Sequence, residues 1–279
     1  MAALFEPVRD LPTIRRPHIN LEAVPRDWYG GSPEITCFVN ALHLFIPAGE
    51  TFFVRTVNAA SRTIPDPLLK EQVARFVGQE IIHGQLHRSY QRMQIDQGQE
   101  ISSWLCWYEQ LAYGRMEARR PLVLNLSITV ALEHLISSLG EWILKPGHSL
   151  AQVADPEMAA LFHWHAAEEI EHKAIAFDVY HAFSGNLFIR WLGLVIALGE
   201  MLSFWLSASW HLARQDSRIK ASTLVHGFAK FPDFLSIIPC LLRATWLYMW
   251  PGFHPNKINN DALAAEFLRE FDPMMTGGG

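Results

Sequence analysis

Histidine and glutamate crowd into one short run of this sequence. From His163 to His172 the chain reads HWHAAEEIEH. On a helix, the spacing of His165, Glu169 and His172 puts all three side chains on one face. Met158, Leu161 and Phe162 share that stripe. A second Glu-x-x-His pair, Glu80 and His83, lies on a stripe with Val73, Phe76 and Val77. Ionisable groups thus fall on faces that should be buried. Burying an unpaired carboxylate costs several kcal/mol, and a divalent cation removes that cost. The chemistry these residues point to is metal binding.

Dinuclear carboxylate centres in helical bundles take one Glu from each of two helices and a Glu-x-x-His from each of the other two. Glu50, among Ile46, Phe53, Val54 and Val57, and Glu133, among Thr129, Val130 and Ile136, supply the first kind. The chain order is then Glu50, Glu80/His83, Glu133, Glu169/His172. Two divalent ions would balance the four carboxylates and leave positions open for water, oxygen or substrate. His165 is a seventh candidate ligand; its alternative is a core histidine that touches the site. His87 and Glu168 are expected to touch ligands, not ions. Glu171 is expected in solvent or paired with Lys173, Asp178 with an arginine, His134 and His163 off the site face, and Tyr90 in the core. The competing reading is surface charges aligned by chance; it does not explain why they share stripes with Phe76, Leu161 and Phe162.

These residues need long helices to position them, and the chain is patterned for them. The periodicity predicts helices over 36–60 (bent near Pro47), 67–96, 101–117, 121–144, 156–183, 187–214 and 232–248. No segment alternates like a strand. The fold class is all-α, a helical bundle with additional C-terminal helices. Asp66-Pro67 and Asp155-Pro156 are strong helix starts, with Asp at the N-cap and Pro at the first helical position. Each is followed at the same offset by its Glu-x-x-His, which suggests a duplicated helical hairpin. Residues 1–33 read as an extended arm, 34–260 as one helical domain with apolar C-terminal helices at 187–250, and 261–279 as a tail.

With 279 residues and 50% hydrophobic content the chain can bury a sizeable core. Net charge is −5 with no basic block, so no nucleic-acid partner is expected. Cys37, Cys106 and Cys240 fit no metal or disulfide spacing. With no signal peptide evident, a cytoplasmic location is expected. Residues 191–213 are apolar apart from Glu200 and His211, long enough to cross a bilayer core of about 30 Å. A buried helix, a homodimer interface and peripheral membrane contact are the alternatives. With 234–250 this segment could cover the metal site, which implies a small hydrophobic substrate.

Several segments carry a family resemblance: FIPAGETFF (45–53), EIIHGQLH (80–87), ALEHLI (131–136), HWHAAEEIEHKAIAFDV (163–179) and PGFHP (251–255). Over roughly residues 20–260 the chain resembles the ferritin-like proteins called predicted metal-dependent hydrolases. This implies a ferritin-like four-helix bundle. The extra histidine of His165-xxx-Glu169-xx-His172 also resembles the p-aminobenzoate N-oxygenase type of di-iron protein, in which the matching histidine binds iron. The resemblance implies Glu50, Glu80, His83, Glu133, His165, Glu169 and His172 as ligands. Glu and His without Asp or Cys suit iron or manganese, so the expected cofactor is two iron ions, or Fe/Mn, with manganese or zinc as further options. The main expected function is O2-dependent oxidation of a hydrophobic substrate, which requires an electron donor. Metal-dependent hydrolysis is the alternative, and iron storage a third reading.

Overall fold

The computed structural model describes residues 11–231 and 235–276. Among them the chain is all-α, with a single isolated β-bridge between Tyr29 and Ala154. Helices α1 (Pro33–Ser61), α2 (Pro67–Asp96), α4 (Leu122–Leu144) and α6 (Pro156–Glu171) surround the candidate site. Between them lie α3 (Ser102–Leu111) and the short α5 (Ser149–Val153). Then follow α7 (Ile175–Phe183), α8 (Leu187–Ala213), α9 (Ala221–Lys230), α10 (Ile237–Met249) and α11 (Asp261–Thr276).

The expected helix starts form as their side chains dictate. Asp66 accepts from the amides of Leu68 and Leu69, and Asp155 from those of Glu157 and Met158. Helix α1 runs through Pro47 unbroken. A mid-helix proline has no N–H, so a carbonyl one turn back loses its donor. Gln91 makes up the loss by donating to His43 O at 2.9 Å and Leu44 O at 3.1 Å. Helix α1 packs on α2, and α4 on α6 and α8. Two glycines permit close approach: a Cβ on Gly140 would meet Ala166 O at 2.7 Å, and one on Gly193 would meet Ser127 O at 2.7 Å.

Several expectations are corrected. The helix expected over 156–183 breaks at His172–Ala174 into α6 and α7. No Pro or Gly marks the break; Lys173, buried, turns away to donate to Ile258 O at 2.9 Å and to reach Asp261 at 2.8 Å. Asp261–Thr276, read as part of a tail, is helical, and its Ala264, Leu268 and Phe271 enter the core beside Leu161 and Trp164. Residues 277–279 and 1–10 lie outside the described residues. The arm from residue 11 onward is anchored by Trp28 and Tyr29, both buried. Helices α5 and α9 were not expected, and α3 ends early in a π-turn (Ala112–Met116) followed by a 3-10 turn (Glu117–Arg119).

Candidate metal centre

The structure brings all seven expected ligands together and buries most of them completely. Glu50 comes from α1, Glu80 and His83 from α2, Glu133 from α4, and His165 and Glu169 from α6; His172 caps α6. Their donor atoms form three overlapping groups: Glu50/His83/His165, Glu80/His83/Glu169 and Glu80/Glu133/His172. His83 and His172 mark the two ends. Glu80 reaches both, at 3.6 Å from His83 Nδ1 and 3.3 Å from His172 Nε2. Glu169 also reaches both, at 3.4 Å each, and lies 3.2 Å from His165 Nε2. Glu133 is 3.4 Å from His172 Nε2. Glu80 and Glu169 thus lie between the His83 and His172 ends of the cluster.

Each histidine is held from behind. His83 Nε2–H donates to Glu168 Oε2 at 3.0 Å, which leaves the Nδ1 lone pair facing the cluster. His172 Nδ1–H donates to Gln79 Oε1 at 3.0 Å, which leaves Nε2 facing it. His165 Nδ1 lies 3.1 Å from His87 Nε2, and His87 Nδ1 lies 2.7 Å from His43 Nδ1. Metal-binding histidines ordinarily have such partners, which fix the tautomer and orientation of the ring. His87 thus contacts His165, and Glu168 contacts His83. Glu168 is bound by Arg15 at 3.1 Å, and Arg15 also holds Glu171 at 3.0 Å. Glu171 is thus paired with Arg15 and not with Lys173, and Asp178 pairs with His254 at 2.8 Å and not with an arginine. His134 donates away from the site, to Ala244 O at 2.9 Å. Tyr90 is buried and donates to Asn40 Oδ1 at 2.5 Å.

Gln79, His43 and Arg15 were missed in the sequence. Gln79 stands immediately before Glu80 as Glu168 stands before Glu169, a register match that could have revealed it. His43 lies two turns before Glu50 on the same stripe. Nothing local marks Arg15.

The residues fit a metal on physical grounds. Both oxygens of Glu50, Glu80 and Glu133, Oε2 of Glu169, Nδ1 of His83 and Nε2 of His172 are buried without a hydrogen-bond partner. Lone pairs that converge on carboxylates repel one another unless a cation lies between them. The titration behaviour agrees. Burial and the charge of Glu80 push Glu50 well above the usual carboxylate range. Burial pushes Glu133 up to about 8. Burial also acts on Glu169, yet the neighbouring His172 and His83 hold it below its ordinary value. Burial opposes the charging of His83 and His172, but the surrounding carboxylates raise both well above the usual histidine value. Without a metal the cluster must share protons.

A cavity of ≈ 150 Å³ ends on this cluster. His87, His165 and Glu169 line one end of it. Its walls are apolar, among them Phe52, Ile128, Leu132 and Phe162, and Glu117, Arg120 and Glu200 add charged groups to the lining. Arg120 and Glu200 form an ion pair. The π-turn after α3 contributes Ala112 and Tyr113 to the wall.

An all-α bundle whose core holds a buried Glu/His cluster with unpartnered donor atoms defines a candidate metalloprotein. A family model described as "Predicted metal-dependent hydrolase" matches residues 13–259, and the chain belongs to that family. No curated protein and no solved structure matches the chain significantly.

Proposed function

We propose that this protein is a dinuclear metal-dependent hydrolase that acts on an apolar substrate. One observation carries the metal reading: the unpartnered donor atoms of Glu50, Glu80, His83, Glu133, Glu169 and His172 converge in one buried volume. Family membership supports hydrolysis. Glu50, Glu80, His83, Glu133, His165, Glu169 and His172 would hold the ions. A bound pair supplies a water of lowered pKa and a polarised carbonyl, or, if the metal is iron, O2 chemistry. The hydrocarbon walls bind the apolar part of the substrate and direct its reactive end to Glu169 and His165. Hydrolysis also needs a general base, for which Glu168 and His87 are the nearest groups; Glu168 is held by Arg15 and does not line the cavity, whereas His87 does. His87 therefore borders the cavity, and its links to His165 and His43 form a chain along which a proton could move.

A second reading, oxidation of the same substrate by O2 with two iron ions and an electron donor, has its own support. Both nitrogens of His87 are engaged by neighbours. Burial also holds its pKa well below the usual value, which makes it a weak base. The donor set of Glu and His suits iron or manganese. The deciding experiment is to load the protein with iron, manganese or zinc and offer it nitrophenyl esters from butyrate to laurate without air. Cleavage that strengthens with chain length and disappears on chelation supports hydrolysis. No cleavage, with substrate-dependent O2 uptake after reduction of the iron form, sinks hydrolysis and establishes oxidation.

A further inference from the structure

The outer side of α8 differs from an ordinary protein surface. Phe188, Leu192, Val195, Leu202, Leu206 and Trp210 are all exposed. Their spacing makes one stripe, about 33 Å long at 1.5 Å per residue. Helices α8 and α10 both pack on α4, and the end of α10 meets the start of α8. Trp191 donates to Met249 O at 2.9 Å, Arg190 to Trp250 O at 2.8 Å, and Met201 packs in a cluster with Ala244. Ile238, Leu242, Trp246 and Met249 of α10, with Trp250 just beyond it, are exposed as well.

The face is large and almost without polarity. The largest apolar patch on a typical monomer is about 300–600 Å². Phe188, Trp210, Trp246 and Trp250 are 76%, 73%, 68% and 63% exposed. At about 150–250 Å² per aromatic side chain, these four reach that size before any aliphatic residue is counted. Charge is nearly absent: Arg190 is buried and Glu200 turns inward to Arg120, while Arg243 and, just past α8, Arg214 are exposed beside the apolar stripes. A protein partner ordinarily makes about one hydrogen bond per 100–200 Å², and these stripes offer little beyond Ser203 and indole N–H groups to make them or to fix a register. Liquid hydrocarbon needs neither. Tryptophans on an apolar face with arginines beside it suit the boundary between acyl chains and phosphate headgroups.

We propose that the α8–α10 face docks onto a lipid bilayer, lying in the surface of one leaflet, and that substrate enters the cavity from there. The docking stands on the surface alone; the entry of substrate rests on the apolar-substrate reading above. Glu200, Met201 and Phe204 line the cavity from the opposite side of α8, so a single helix separates the lipid-facing stripe from the cavity.

The test is flotation of the full chain with phosphatidylcholine vesicles containing a quarter phosphatidylglycerol, together with tryptophan quenching by brominated lipid. The chain is expected to float at low and high salt and to be quenched. Leu206→Glu combined with Leu242→Glu is expected to lower the partition coefficient by at least about tenfold with unchanged helical circular dichroism. A chain that stays at the bottom overturns the proposal, as does a dimer that buries the face and is not quenched, or a charged variant that floats like the parent. If the double variant loses its circular dichroism, Trp246→Ser decides: less quenching supports docking, and unchanged quenching overturns it. Neither readout involves turnover or metal, so failure here leaves the metal centre standing. Conversely, a vesicle-bound but inactive protein leaves the docking standing.

Discussion

Helices α2 and α6 carry the same sequence device and use it differently. Each starts with Asp-Pro and reaches a Glu-x-x-His at the same offset. The residue before each glutamate also reaches across the site: Gln79 supports His172 on the other helix, and Glu168 supports His83. Then the symmetry fails. One support is a neutral amide; the other is a carboxylate held by Arg15. Helix α2 continues well past His83, whereas α6 stops at His172. The His83 end also has His165 and the His87–His43 pair beside it and opens toward the cavity. A carboxylate behind a histidine makes its ring a stronger donor. The comparison teaches that the two ends of the cluster are unequal, with the more electron-rich one placed next to the cavity.

The largest expected effect comes from removing what both ends share. Glu169→Ala should abolish binding of the metal pair, expected at about two ions per chain, as read by elemental analysis after reconstitution. Full occupancy would overturn the ligand assignment at both ends.

Arg15→Ala should come next. It leaves Glu168 buried without its cation, a loss of about 3 kcal/mol, measurable by chemical denaturation. A change within error would mean that the strap from the N-terminal arm does not matter.

The inequality itself is tested by comparing Glu168→Gln with Gln79→Leu in chelator-competition titrations. Glu168→Gln should weaken the tighter binding step by about 10–100-fold, and Gln79→Leu should have the smaller effect. Equal losses would break the comparison.

A pH effect of about 1.4 kcal/mol per unit is expected from Glu133 in the metal-free protein. Its folded pKa is raised to about 8 by burial, so the folded state holds a proton that the unfolded state has lost. Glu133 therefore contributes stability that is fully present below the ordinary carboxylate range and lost as pH rises to about 8. Glu133→Gln should flatten that part of the profile of melting temperature against pH, and an unchanged slope would contradict it.

The smallest effects are the matched caps. Asp66→Ala and Asp155→Ala should each cost about 1 kcal/mol. A marked difference in thermal unfolding would show that the two helix starts are not equivalent.

Much of the candidate site could be read in the sequence because the candidate ligands sit on helices, where spacing fixes the face. Glu50 and Glu133, each alone among apolar residues, stand out for the same reason. The supporting residues are harder to read. Gln79 has no charge to betray a metal role, and Arg15 approaches from a non-helical arm that no periodicity places. The pairing named as one option for Glu171, with Lys173, fails because Arg15 takes Glu171 while Lys173 turns to Ile258 O and Asp261.

The sequence by itself determined the long helices α1, α2, α4 and α8, the Asp-Pro starts of α2 and α6, and the apolar faces that carry the seven ionisable groups, since all of these depend on contacts within a few residues. Only the tertiary structure decided that α6 ends at His172, that Lys173 is drawn to the start of α11, and which nitrogen of each histidine faces the cluster. It also decided that the apolar residues of α8 divide between a cavity and an exposed stripe. Those outcomes depend on groups distant in sequence that meet only after packing. Periodicity can say that a helix is apolar on several sides, but not what will lie against each of them.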